Sequence, residues 1–434
     1  MREPQQEWIG EACRTPVVTA FVYSGDKVAL VRRSDRVRTY KGRWAGFSGY
    51  VEQLPLEQAM RELNEEAGLV PEALKLKGIG IPVSVDDMEN DASWLVFPFL
   101  FELPKGPEIA TDWESTELQW FSPTEISGLQ TVPALDCALA SVWPPFGDDI
   151  FWRELSAVAT DTEQGASALA RRGLEAVGGF VQANYSSLGR ADLYRTIRAF
   201  AACRPVMGVF PNLAARLLLA MQSDTGLDAV DALVTELLGA LQDSVELSTD
   251  AAYEAIRDKK RLFTLSYSEA VRDTIVKRAQ GGEEVMIAES LPGGEGKTLA
   301  DELHSKHIRV TVVSDAEVPV VVSGVDAVIV GCDGITGDDL IINKVGTRGA
   351  VEAARAAGVP AFCIAQTSKI EPTDWPLFLE ERLIDPDQGI HAPIFDCTPL
   401  AAFADVITEE GPLTPGGLLD IRSELDSADL ICGA

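Results

Sequence analysis

Histidine is nearly missing from this chain: three residues, His304, His307 and His391, in 434. The seven cysteines are scattered, with no CxxC spacing. Together these shortages argue against structural zinc and against a disulfide framework. No apolar run reaches the length of a membrane span, and the opening MREPQQEWIGEACRTP lacks the apolar core of a signal peptide. A cytoplasmic protein is expected. Positive charge is also scarce, with 37 Lys and Arg against 67 Asp and Glu and a net charge of −30. Such a surface repels nucleic acid and acidic membranes, so neither is an expected partner. It suits a salty interior in which cations screen self-repulsion, and a halophilic source is the compositional expectation.

Apolar residues make up 46% of the chain, which is long enough for two or three domains. TPVVTAFVYSGDKVALVRRS holds two apolar runs around a Ser-Gly-Asp turn, as a hairpin does. ASWLVFPFLF at 92–101 reads as a buried strand, and LQWFSPTEI as a strand leading into a helix start. Residues 1–148 are therefore expected to form a mixed α+β domain, ending at the linker-like VWPPFGDD. Residues 149–258 read as helices with apolar residues three to four apart, and packing is their plain role. From 259 to 434, β-branched runs such as VMIAES, IRVTVVSD and AVIVGCDGI alternate with helices, the pattern of a Rossmann-like parallel sheet. Ligands of such sheets bind beyond the strands' carboxyl ends, where Ser290, Ser314, Asp333 and Thr367 fall. Cys332 and Cys363, also near strand ends, read as small core residues.

Residues 51–69, VEQLPLEQAMRELNEEAGL, predict a helix over 55–67 with Leu56, Ala59, Met60 and Leu63 as its apolar stripe. The i, i+3, i+4 spacing puts Glu62, Glu65 and Glu66 on one face. In so acidic a chain, composition alone makes this a solvated face. Context argues otherwise: WAGFSGYVE supplies a glycine turn before the helix and Ala-Gly-Leu stops it. The segment resembles the Nudix box, whose second half stands complete from Arg61 to Leu69. That resemblance spans residues 14–145 and implies an α/β/α sandwich that hydrolyses phosphoanhydrides of nucleoside diphosphate derivatives. It implies Mg²⁺ or Mn²⁺ held by Glu62, Glu65, Glu66 and the Gly49 carbonyl, with Glu62 also a base and Arg61 orienting a carboxylate. Hard oxygen ligands of this kind suit those cations. Glu114 or Glu117 would add an acid from outside the box. Gln53 stands where the box has its first glutamate and Phe47 where it has glycine; the loop after Gly49 is two residues short, and Glu52 and Glu57 are near substitutes.

ESLPGGEGKTLADEL suggests a phosphate loop, but Leu291 occupies the place of its first glycine. Taken in order, CRPVMGVFPN, FTLSYSEAV, AESLPGGEG, VIVGCDGI and INKVGTRGA resemble the initiation factor 2B alpha, beta and delta subunit family. That family also holds methylthioribose-1-phosphate and ribose-1,5-bisphosphate isomerases. The resemblance implies a substrate site at Asp333, Asn343, Lys344 and Arg204, with Ser266 in the place of the isomerases' cysteine. Gln164 and Leu291 replace two of their arginines. It further implies assembly into a homo-oligomer.

The combined expectation is a metal-dependent hydrolase fused to a domain that binds a small phosphorylated metabolite, a sugar phosphate or nucleotide. Two alternatives stand beside it: a divergent sugar-phosphate isomerase using the C-terminal domain, and a non-catalytic regulatory or ligand-sensing protein.

Overall fold

The computed structural model describes residues 14–88, 90–104, 109–223, 226–279, 284–379, 381–385 and 390–431, with backbone alone at 381–385 and 390. In the N-terminal domain, strands β1 (Thr15–Ser24), β2 (Lys27–Arg33), β3 (Trp44–Ala45) and β4 (Phe47–Tyr50) precede helix α1 (Pro55–Ala67). Strands β5 (Lys75–Ile79), β6 (Val83–Asp87), β7 (Ala92–Glu102) and β8 (Ser115–Phe121) and helix α2 (Leu135–Val142) follow. The sheet runs β3-β2-β1-β7-β5, with β4 on β1, β6 on β7 and β8 on β2. Of these pairings only β1 with β7 is parallel.

Period-two alternation along β1 explains the sandwich. Val18, Ala20 and Val22 pack with Leu56, Ala59 and Leu63 of α1. Phe21 and Tyr23 point the other way, to Leu135, Leu139 and Val142 of α2. Helix α1 starts with Pro55 in its first turn and ends at Gly68. Gly68 adopts φ +64°, the left-handed conformation that glycine enters without penalty, and Leu69 N–H returns to the Leu63 carbonyl at 3.1 Å. The Ala-Gly-Leu stop is thus a helix cap, and it fixes the end of the acidic face.

Five helices follow: α3 (Asp149–Ala159), α4 (Ala166–Asn184), α5 (Arg190–Ala202), α6 (Val209–Met221) and α7 (Gly226–Ile256). The expected linker is short, since Asp148 already caps α3 by accepting from Phe151 N–H at 2.8 Å. Asp149 takes both Lys75 and Lys77 of β5 at 2.7 Å, tying the helical layer to the first sheet.

The last domain carries β9 (Arg261–Thr264), β10 (Glu284–Ala288), β11 (Arg309–Val313), β12 (Ala327–Val330), β15 (Ala361–Ile364) and β19 (Asp405–Thr408), all parallel. Helices α8 (Glu269–Arg278), α9 (Glu295–Ser305), α10 (Val318–Val322) and α11 (Thr347–Ala357) lie between them in sequence. The order β11-β10-β9-β12-β15-β19 reverses between β9 and β12, which opens a crevice at the switch point. Three small elements were not foreseen. They are the antiparallel sheet β13 (Gly334–Ile335), β14 (Leu340–Lys344) and β18 (Phe395–Pro399), the hairpin β16 (Glu381–Asp385) and β17 (Ile390–Pro393), and the short edge strand β20 (Gly411–Pro412). The chain's last described helix is α12 (Pro415–Asp426).

Candidate functional site

A cleft of about 380 Å³ opens over α1, and Gly49, Glu52, Arg61, Glu62, Glu65 and Glu66 all line it. Strand β4 and helix α1 pack closely because residue 49 is glycine: a Cβ there would lie 1.9 Å from Glu62 Oε1. Glu62 therefore sits directly on the strand backbone. Its Oε1 accepts a 2.6 Å hydrogen bond from Gln58 Nε2. Glu66 Oε1 accepts from Ser48 N–H at 3.4 Å.

Among the described residues neither carboxylate lies within ion-pair distance of a cation, although Arg61 still pulls on Glu62. Burial raises the Glu62 carboxyl above the usual carboxylate range, while the Gln58 hydrogen bond pulls it back. Glu66 is pushed up to about 9, chiefly by burial and then by Glu62, Glu114 and Asp112. Glu114 is itself raised by burial and by Asp112. Of the two candidate outside acids, Glu114 lines the cleft. Glu117 instead faces Arg32 at 3.7 Å on the β2–β8 edge.

Arg61 contacts two carboxylates: its Nε donates to Glu65 at 2.8 Å and its terminal nitrogen to Glu52 at 3.1 Å. On the shortened loop it is Glu52, one residue before Gln53, that reaches Arg61. Sequence reasoning missed Gln58, which is 2% exposed and also accepts from Glu52 N–H at 3.3 Å. Its i, i+4 relation to Glu62 was the available signal.

The donor chemistry fits a hard divalent cation. Glu62 and Glu66 are half-buried, repel each other, and accept hydrogen bonds from the neutral Gln58 amide and Ser48 N–H. Among the described residues, no group of three or more acidic, histidine or cysteine side chains is arranged to hold a metal ion. Glu65, half-exposed and paired with Arg61, stands at the rim of the pair.

The second set of residues gathers at the switch point between β9 and β12. Desolvation raises the carboxyl of the half-buried Asp333, while Lys369, Arg204 and Lys344 pull it back and Glu295 adds to the rise. Each of those cations already has a protein partner. Lys344 Nζ donates to Glu295 at 2.6 Å, Arg204 to the Asp161 carbonyl at 2.8 Å, and Lys369 to the Cys332 carbonyl. Asn343 donates to Thr347 Oγ1 at 3.0 Å. Ser266 follows β9 at φ +62°, and its N–H donates to Ser290 Oγ at 2.7 Å. Leu291, in the arginine's place, is 54% exposed. Cys332 and Cys363 are buried, with thiols directed at backbone carbonyls. Lys369 and Glu371 were not anticipated. Glu371 is 1% exposed with neither oxygen hydrogen-bonded to a described residue, and burial pushes it up to about 8 against the pull of Arg422.

Two family models match this chain. That of the initiation factor 2 subunit family covers residues 162–415, and that of the NUDIX domain covers residues 14–138. A ribose 1,5-bisphosphate isomerase of Haloferax volcanii is 28% identical over 295 residues, covering 63% of this chain and 88% of its own length. A putative translation initiation factor eIF-2B subunit 2-like protein of Pyrococcus horikoshii is 28% identical over 257 residues, 58% of this chain and 92% of that protein. Among solved structures, the Pyrococcus horikoshii OT3 translation initiation factor eIF-2B aligns at TM-score 0.56 and 27% identity, over 63% of this chain and all of that one.

Proposed function

The chain belongs to the initiation factor 2 subunit family and carries a NUDIX domain ahead of it, and from that premise we propose that its chemistry is divalent-cation-dependent hydrolysis of a phosphoanhydride in the N-terminal cleft. One observation carries this: two half-buried carboxylates, Glu62 and Glu66, face each other's charge while their hydrogen bonds come from the neutral donors Gln58 and Ser48 N–H. Glu62 and Glu66 would hold Mg²⁺ or Mn²⁺, with Glu65 at the rim and Glu114 elsewhere on the cleft lining. Bound there, the cation supplies positive charge for phosphate oxygens and acidifies water.

The chain's own residues do the remainder. Gln58 fixes the Glu62 carboxylate, and Gly49 lets it lie on the β4 backbone. Burial raises the Glu62 carboxyl, which makes it a stronger base than an exposed carboxylate. Arg61 holds Glu65 and Glu52 together across the helix and loop.

A second activity, sugar-phosphate isomerisation in the C-terminal domain, is favoured by one feature, the half-buried acid Asp333 among Lys369, Arg204 and Lys344. Ser266 argues against it, since a serine hydroxyl is a far weaker acid than a thiol. We assign that crevice to binding a small phosphorylated metabolite, with homo-oligomerisation through the same domain. Incubation with nucleoside diphosphate derivatives and Mg²⁺ tests the proposal. Product release that Glu66→Gln abolishes and Asp333→Asn spares is the expected result. Turnover that survives Glu66→Gln would refute it.

A further inference from the structure

ESLPGGEGKT, residues 289–298, has the parts of a phosphate loop without its spacing. In the fold it joins the carboxyl end of β10 to α9 and reaches Lys344 at the end of β14. Gly294 takes φ +74° as the helix N-cap. Gly296 packs on the Ala288 carbonyl, where a Cβ would stand 1.8 Å away. Backbone arranged this way, a tight turn running into a helix start, turns N–H donors toward an anion.

Here acids of the chain itself have taken those donors. Ser290 N–H and Leu291 N–H each donate to an Asp315 carboxylate oxygen at 2.9 Å. Lys297, in the first turn of α9, pairs with Glu289 at 2.8 Å. Lys344, whose side chain is 5% exposed, gives its Nζ to Glu295 Oε1 at 2.6 Å. The Glu295 carboxylate folds back over the turn, so close to Gly293 that a Cβ there would stand 2.2 Å from Oε1. One resident anion therefore stands over the glycine turn and on a buried lysine at once. A phosphate arriving at this end would meet carboxylates, and bringing like charges together in a partly desolvated site costs affinity.

The same carboxylate has capacity to spare. Glu295 Oε2 is buried and accepts no hydrogen bond from a described residue, which is costly until a donor arrives. A sugar hydroxyl is such a donor, and a phosphate dianion is not. We propose that Glu295 sets the specificity of the C-terminal crevice: the ligand is a sugar monophosphate whose hydroxylated end meets the glycine turn, and a bisphosphate is disfavoured there. This rests on the assignment of that crevice to a small phosphorylated metabolite and narrows it to one phosphate, held away from the turn. Discrimination comes from a repulsive element as much as from the contacts that reward the right ligand.

Calorimetric titration of the metal-free full chain with ribose 1,5-bisphosphate, ribose 1-phosphate and ribose 5-phosphate tests this. At least one monophosphate should bind as tightly as the bisphosphate or more tightly. Glu295→Gln removes the charge and should shift the preference about tenfold or more toward the bisphosphate. Glu295→Asp keeps the charge and should keep the wild-type preference. A wild type that favours the bisphosphate over both monophosphates overturns the assignment. So does a preference that Glu295→Gln leaves in place, or a Glu295→Asp variant that behaves as Glu295→Gln does. Failure of the underlying crevice reading would look different: no heat from any of the three sugar phosphates with wild type or variants, which overturns both.

Discussion

Gln58 joins the loop to the acidic face of α1: its amide donates to Glu62 Oε1 at 2.6 Å while its carbonyl accepts from Glu52 N–H at 3.3 Å. Because that donor favours the ionised form of Glu62, removing it raises the Glu62 pKa further. Gln58→Leu should therefore cost about 10–100-fold in kcat/KM, the usual penalty for losing a residue that orients a ligand or base. It should also move the acid limb of the pH–rate profile to higher pH. A uniform loss with an unshifted profile would make Gln58 merely structural.

Gly49→Ala puts a methyl group where Glu62 now lies, 1.9 Å from Oε1. The far end of a side chain can swing away more cheaply than backbone can move. Activity should fall by about 100-fold or more while thermal unfolding shifts by only a few degrees, on the order expected for about 1 kcal/mol. Steady-state kinetics beside calorimetry would check both, and a variant that unfolds instead would contradict the account.

Glu66, with its carboxyl near 9 in the folded chain against 4.5 as the ordinary value, binds a proton more tightly folded than unfolded. Its contribution to stability is complete below about pH 4.5 and is lost as pH rises from there through about 9. Metal-free protein should melt at lower temperature at pH 8 than its Glu66→Gln variant, in which the charge is absent. Millimolar Mg²⁺ should raise Tm of the wild type and leave Glu66→Gln unmoved. Equal responses of the two proteins would remove Glu66 from the cation site.

The C-terminal crevice yields a gain-of-function prediction. With Ser266 where a thiol is needed and Leu291 where an arginine is needed, the native chain should not form ribulose 1,5-bisphosphate from ribose 1,5-bisphosphate. Ser266→Cys with Leu291→Arg should produce it at a measurable rate by phosphorus NMR, and Asp333→Asn on that background should abolish it. Turnover by the native chain would restore the isomerase alternative.

Much of this was legible in the sequence because periodicity reports burial. The alternation along β1 and the apolar stripe of α1 gave the sandwich, and β-branched runs gave the parallel sheet. The site was legible where a motif fixes spacing within one helix, as for Arg61, Glu62, Glu65 and Glu66. It was illegible where a short loop changed the register, so that Glu52 rather than residue 53 reaches Arg61. Long-range partners were hidden for a similar reason. Nothing local distinguishes Glu114 from Glu117, yet only Glu114 lines the cleft. Lys369 and Glu371 acquire meaning only once β15 is placed two strands from β9.

The join between the domains has a practical consequence. Phe97 of the first sheet meets Phe378 of the last domain with ring centroids 4.8 Å apart, and His391 Nε2 stands 4.0 Å from Glu52 Oε1. Glu52 is the residue that grips Arg61. A chain ended at residue 148 would keep every residue of the acidic cleft and lose the wall that braces its loop. The two halves are one mechanical unit, and cutting at the seam should blunt the activity proposed for the first half while leaving its acidic residues in place.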